Sequence, residues 1–253
     1  STSSMRFGLP SWLQHRNPRM GPAGPRVVWH GVCALARTGG LPRSVDEGIH
    51  VPSIVLTGGI ASGKSTIASR LTELGAHILD ADVFARDAVA PGSIGLDRIR
   101  DEFGSSVISA DGSLDRAALG KIVFSDETAR QKLNAIVHPE VRRLTAEAKA
   151  EILQTDPDAV IIHDIPLFVE TGAAGEYDEV WVAEAPVRER MRRLVEGRGM
   201  SRDEAESRIR AQASDEERRA VADVIIDTGV PLAETLTRVD ALWERVSGAT
   251  NAQ

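Results

Sequence analysis

The eight residues from Gly58 to Ser65, Gly-Gly-Ile-Ala-Ser-Gly-Lys-Ser, constrain this chain more than any other feature. They match the G-x-x-x-x-G-K-[ST] pattern of a phosphate-binding loop. The context strengthens the match: Ser53–Thr57 is a mostly apolar run suited to a buried strand, and Lys64–Leu74 has a helical pattern. A strand, a glycine-rich turn and a helix in that order aim backbone N–H groups and the positive end of a helix at one point. That arrangement suits the phosphates of a nucleoside triphosphate. Gly58, Gly59, Ile60, Ala61, Ser62 and Gly63 supply the cradle, and Lys64 places a compact charge at the β and γ phosphates. Ser65 offers a hydroxyl to Mg²⁺, with Thr66 in support. The bland alternative is a glycine-rich turn carrying an exposed lysine. Lysine is scarce, however: four in a chain whose Lys and Arg together number 30.

Further short strands follow the loop. His77–Leu79 ends at Asp80, Val160–Ile162 ends at His163 and Asp164, and Glu179–Ala183 and Val224–Ile226 come later. Helical patterns separate them, including Glu127–Val137, Glu140–Leu153 and Leu232–Val246. The alternation predicts an α/β fold with a mainly parallel five-stranded sheet. The folded domain is expected over 51–247, with an inserted helical subdomain at 86–158, which the family resemblance given below implies is substrate-binding, and a small helical lid at 188–219. Residues 1–50 hold no period for long, and Gly21, Pro22, Gly24 and Pro25 break any that starts. They are expected to be a weakly ordered extension, read either as a targeting leader or as sequence from an upstream start. The single cysteine, Cys33, excludes an intrachain disulfide and a cysteine zinc site. A net charge of -7 argues against a generally basic nucleic-acid surface. No apolar stretch is long enough to span a bilayer, so a cytoplasmic protein without a membrane or nucleic-acid partner is expected, as a monomer or weak homo-oligomer.

Acids at strand ends point to the chemistry, because ligands of such sheets gather at the carboxyl ends of the strands. Asp80 and Asp82 lie two apart, so an extended backbone turns them in opposite directions. One is expected to cap the helix starting near Val83, and the other to orient an acceptor hydroxyl and take its proton. We assign the second task to Asp82, leaving Asp80 between magnesium-water contacts and structure. Asp164 is a candidate to hold a metal-bound water opposite Ser65, or is structural. His163 is expected to be packed or hydrogen-bonded, and Glu170 to be acceptor-side or solvated. Between Arg188 and Arg219 arginines are dense and acids interspersed, as on a salt-bridged helical surface. Gly197 and Gly199 form a joint before a helix starting near Ser201, which with Glu204 resembles a capping box. Two helices with such a joint form a lid that brings guanidinium groups onto phosphate and excludes water. Arg193 and Arg198 are the catalytic candidates of that lid. Arg208 and Gln212, four apart on one helix face, are nucleotide-binding candidates, and most other arginines default to the surface. No Asn-Lys-x-Asp run is present to read guanine.

In order along the chain, Leu56–Thr66, Asp80-Ala-Asp-Val-Phe-Ala-Arg86, Asp111–Arg116, His138-Pro139 and Pro166–Glu170 resemble the dephospho-coenzyme A kinase family. So do Arg193-Leu194, Arg198, Glu204-Ala205, Arg208-Ile209, Gln212 and Ala222-Asp223. The resemblance covers about Ile54 to Val246. It implies a P-loop kinase fold and ATP-dependent transfer to the 3′-hydroxyl of dephospho-coenzyme A with Mg²⁺. It implies that Asp82 is the hydroxyl-orienting base, that Lys64 and Ser65 serve phosphate and metal, and that Arg86 and His138 lie on the acceptor side. His138-Pro139 has a second reading as a helix entrance. The chain departs from the family at Ala61, where glycine is frequent, and at Asp227, where asparagine is. Without the resemblance, a kinase for another nucleotide or nucleoside, or a nucleotide-dependent switch, remains open.

Overall fold

The computed structural model describes residues 52–171 and 177–250. These divide into two compact units, one of residues 52–78 with 152–250 and one of Leu79–Glu151.

In the first unit, β-branched and apolar residues build β1 (Ser53–Gly58), β3 (Ile161–Asp164), β4 (Glu179–Glu184) and β5 (Val224–Asp227). Their pairings are parallel, with Ser53 beside Ile161, Leu56 beside both Asp164 and Trp181, and Glu184 beside Asp227. With β2 (His77–Asp80) the sheet has five strands in the order β2-β3-β1-β4-β5. The His77 amide donates to the Val160 carbonyl at 2.9 Å. β1 is thus central, and its exit is flanked by the ends of β3 and β4.

The helices α1 (Lys64–Leu74) and α10 (Leu232–Thr250) pack on the sheet. Ile67 and Leu71 join Val239, Leu242 and Val246 against Ile54, Leu56, Ile162, Trp181 and Ile226 in one buried cluster. Each fully buried aliphatic side chain contributes about 1.5–3 kcal/mol, which fixes α1 behind the loop it follows. Arg70 clamps α1 to α10 through both oxygens of Asp240, at 2.7 and 3.0 Å.

The Leu79–Glu151 unit carries α2 (Ala81–Asp87), α3 (Ile94–Phe103), α4 (Arg116–Ser125) and most of α5 (Glu127–Thr155). Asp80, Ser93 and Asp115 cap the first three with side-chain oxygens. The sequence predicts two helices around His138-Pro139; one 29-residue helix runs through them, with Pro139 inside it. Its buried stripe of Leu133, Val137, Val141, Ala148 and Ile152 continues across the proline, so packing outweighs the missing N–H. His138-Pro139 is therefore no helix entrance.

The remaining helices are α6 (Phe168–Thr171), α7 (Val187–Arg192), α8 (Arg202–Arg210) and α9 (Asp215–Val221), with a π-helical turn at Arg193–Gly197 after α7. The expected lid thus holds three helices where two were read. The reciprocal capping box lies at Ser214 and Glu217. Ser201 accepts from the Glu204 amide at 3.2 Å, but the Glu204 carboxylate is taken by Arg208.

Candidate active site

The loop between β1 and α1 is closed by a turn, with the Ser62 amide donating to the Gly59 carbonyl at 3.0 Å. Gly63 then enters the helix with φ 87°, and a Cβ there would press on Thr228 at 2.9 Å. Both facts demand glycine. The helix it opens has no side-chain cap and no acid in its first turn. α2, α3, α4, α8 and α9 are all capped by side chains. An uncapped N-terminus at the end of a glycine loop leaves backbone donors and a positive field for an anion. Ala61 is the one non-glycine with positive φ among the described residues, at 58°. The family departure therefore falls on a left-handed backbone position, where a Cβ carries a penalty.

Lys64 Nζ is paired with Asp164 Oδ1, and both side chains are largely sheltered, at 18 and 10 % exposure. Asp164 lies within β3, level with Leu56. Ser65 and Thr66 are exposed on the first turn of α1. Two lid candidates grip the loop backbone. Arg193 Nη1 donates to the Ala61 carbonyl and to Thr228 Oγ1, both at 3.2 Å, and Nη2 to the Thr228 carbonyl at 2.5 Å. Gln212 Oε1 accepts from the Ile60 amide at 2.7 Å. Thr228 Oγ1 also bonds the Ser62 carbonyl. Gln212 lies beyond the end of α8, and Arg208 is paired with Glu204 at 2.9 Å, so the shared helix face expected for them does not form. Arg198 is exposed.

Sequence reasoning passed over three residues at this end of the unit. Arg190 and Arg218, assigned by default to the surface, are each 3 % exposed. Thr228 ties the loop to β5. Glu170, expected to be acceptor-side or solvated, accepts from the Ala213 amide at 2.9 Å and is sheltered. One signal was present: Arg190 precedes the buried Leu194 by four residues, which puts it on the inward face. Asp227 Oδ1 accepts from the Gly229 amide at 2.7 Å. His163 packs edge-on against Tyr177 at 5.1 Å and lies 3.4 Å from Ser53 Oγ, the packed, hydrogen-bonded histidine expected.

In the Leu79–Glu151 unit, Asp80 Oδ1 accepts from the amides of Asp82 and Val83 at 2.7 and 3.1 Å. Asp80 is therefore the helix cap, and the helix starts at Ala81, two residues before the expected position. Asp82 sits half-buried in the first turn. Arg86, one turn on and exposed, donates from Nε to the Asp82 carbonyl at 2.9 Å. Burial, with the nearby Arg142, lowers the His138 pKa to about 4, so this imidazole is neutral at pH 7. Burial and then Arg86 hold the Arg116 guanidinium below its ordinary value.

The match to the family model described as dephospho-CoA kinase covers residues 53–234. A dephospho-CoA kinase from Leifsonia xyli is 53 % identical over 196 residues, covering 77 % of this chain and 98 % of that one. A dephospho-CoA kinase from Cutibacterium acnes is 50 % identical over 199 residues, covering 79 % of this chain and 86 % of the other. A crystal structure from Thermus thermophilus, 33 % identical, superposes with a TM-score of 0.61 over 78 % of this chain and 98 % of its own.

Proposed function

This chain belongs to the dephospho-CoA kinase family, and from that premise we propose how its residues divide the work of phosphoryl transfer. The reaction is the ATP-dependent phosphorylation of dephospho-CoA to CoA. The acceptor atom in this reading is the 3′-hydroxyl. The observation that carries the assignment is the uncapped N-terminus of α1 behind a glycine loop, with Lys64 at its first position.

The transferred group carries spread negative charge and needs little covalent help, so positioning and electrostatics do most of the catalysis. Backbone N–H groups of the loop other than those of Ile60 and Ser62, which Gln212 and Gly59 hold, bind the phosphates with the first turn of α1. Lys64, paired with Asp164, reaches the β and γ phosphates. Arg193 keeps Ala61 and Thr228 in place, and acts on the transferred charge through the loop it grips. Gln212 serves the nucleotide side through Ile60. Arg198 and Arg208, exposed or partly exposed, approach the phosphates when the lid at 188–219 closes.

Ser65 and Asp164 offer hydroxyl and carboxylate oxygens, the hard donors Mg²⁺ takes while keeping most of its water. Among the described residues no group of three or more His, Cys, Asp or Glu is placed to hold a metal. Ser65 and Asp164 would hold Mg²⁺ there, and the ion would supply positive charge that neutralises the phosphates. Acceptor binding belongs to the region 86–158, with Arg86 and neutral His138 facing dephospho-CoA. Asp82 orients the hydroxyl and accepts its proton as transfer proceeds. Among the described residues no helix is long and apolar enough to cross a membrane.

An acceptor panel tests the reading. ATP consumption should be much faster with dephospho-CoA than with nucleoside monophosphates. Equal rates, or hydrolysis indifferent to any acceptor, would sink the assignment.

A further inference from the structure

The two arginines hidden from the charge pattern form a compensated network under the phosphate loop. Arg190 Nη2 donates to both oxygens of Asp215 at 2.9 Å, and Arg218 Nη1 to Asp215 Oδ1 at 3.2 Å. Arg218 Nη2 lies 3.7 Å from Glu170 Oε1. Two buried cations are thus met by two carboxylates, while Arg190 Nε, Arg218 Nη2 and Glu170 Oε2 make no hydrogen bond. The same Glu170 oxygen accepts from the Ala213 amide, and the preceding residue, Gln212, holds the Ile60 amide.

Gly59 sits directly on this network. Its backbone does not require glycine, since it is absent from the positive-φ residues. A Cβ at 59 would instead collide with Arg190 Nη1 and come within 3.3 Å of Arg218 Cζ. An arginine tip normally swings aside. This one is sealed and held by both oxygens of Asp215, so the loop would have to move. The second glycine of the loop is therefore matched to Arg190.

We propose that Arg190 is a positioning residue for the nucleotide phosphates. Bridged by Asp215 to Arg218, its guanidinium is the floor on which Gly59 rests. The network also carries Gln212 to Ile60, so one set of buried charges fixes the loop's donors from below and from the side. The proposal rests on the loop being the ATP site. A displacement of about 1 Å in such donors costs on the order of 10²-fold in rate, which makes rigid support consequential.

The test is a double-substitution cycle on the full chain. It reads ATP affinity by calorimetry and separate KM values for ATP and dephospho-CoA. Gly59→Ala should weaken ATP binding at least ~30-fold in the wild-type background. Arg190→Ser should weaken it ~10-fold with the dephospho-CoA KM within ~2-fold. Adding Gly59→Ala to Arg190→Ser should cost less than ~3-fold more, because the collision partner is gone. Asp215→Asn, near in shape, should raise the ATP KM ~5-fold and leave the acceptor KM unmoved. If the serine variants do not fold, Asp215→Asn and Arg190→Lys decide the matter by the same KM split. The proposal is overturned if Gly59→Ala costs the same factor in both backgrounds. It is equally overturned if Arg190 and Asp215 variants bind ATP like wild type, or lose stability with both KM values unchanged. A wild-type protein that binds no ATP, or turns over without regard to dephospho-CoA, strikes the functional reading instead.

Discussion

The phosphate loop of the first unit and the surroundings of His138 and Arg116 in the Leu79–Glu151 unit hold positive charge differently. At the phosphate loop, cations are met by carboxylates: Lys64 by Asp164, Arg190 by Asp215 and Arg193 by Glu189. Glu189 is held down to about 2 by its hydrogen bond from Arg192, with Arg193 adding to it. In the other unit, His138 is pressed by burial and by Arg142, and Arg116 by burial and by Arg86. Buried guanidinium nitrogens without a hydrogen-bond partner occur in both units, Arg142 Nε in this one and Arg190 Nε and Arg218 Nη2 in the other. The first arrangement holds the loop in shape. In the second, burial and a neighbouring arginine bear on His138, which stays neutral, and on Arg116.

The contrast breaks most readily at Asp82. Asp82→Asn should lower kcat at least ~100-fold, about 2.7 kcal/mol of transition-state stabilisation, while ATP affinity stays near wild type. Retained turnover in steady-state kinetics would remove Asp82 from its role, and lost ATP binding would show that the division of labour is wrong.

His138 gives the next largest effect, on stability. Its folded pKa of about 4 lies below the unfolded value of 6.5. Between those values the unfolded chain binds the proton and the folded chain does not. Stability from this group is therefore intact above pH 6.5 and is lost as pH falls toward 4. The loss should be about 2 kcal/mol between pH 6.5 and 5. Urea unfolding across that range should show a slope that His138→Gln flattens; an unchanged slope would mean the imidazole is not held neutral.

Arg86→Gln sharpens the comparison from the acceptor side. The KM for dephospho-CoA should rise ~10-fold, about 1.4 kcal/mol, with the ATP KM within ~2-fold. A matched rise in both would tie Arg86 to the nucleotide. Ala61→Gly should give the smallest effect. Relief of the left-handed backbone at 58° is partly offset by the greater freedom of glycine in the unfolded chain. A net gain of roughly 0.5 kcal/mol in thermal or urea unfolding is expected. A clear loss would mean that the alanine methyl packs usefully.

How much the sequence disclosed follows the same divide. The strand–loop–helix around Lys64 was legible because short-range rules set it: an apolar run, glycines with a fixed task, and a helix that needs no cap. All five strands were legible from their apolar, β-branched runs, although Asp164 proved to lie inside β3 and not after it. Pro139 misled because local propensity predicts a break, whereas a buried stripe on both sides carries α5 through. Arg190 and Arg218 were missed because Arg and Glu in alternation look like a solvated helix. Their partners, Asp215 and Glu170, are far along the chain or belong to another element. The same long reach hid the ties from Arg193 and Gln212 to the loop backbone.

The most direct test of the account is a single turnover with ATP labelled in its γ-phosphoryl group and excess dephospho-CoA. The account predicts that the label appears at the 3′-hydroxyl of the product in wild type, and that Asp82→Asn binds the labelled ATP without passing it on. Label released to water as inorganic phosphate, or carried to another hydroxyl of the acceptor, would contradict it.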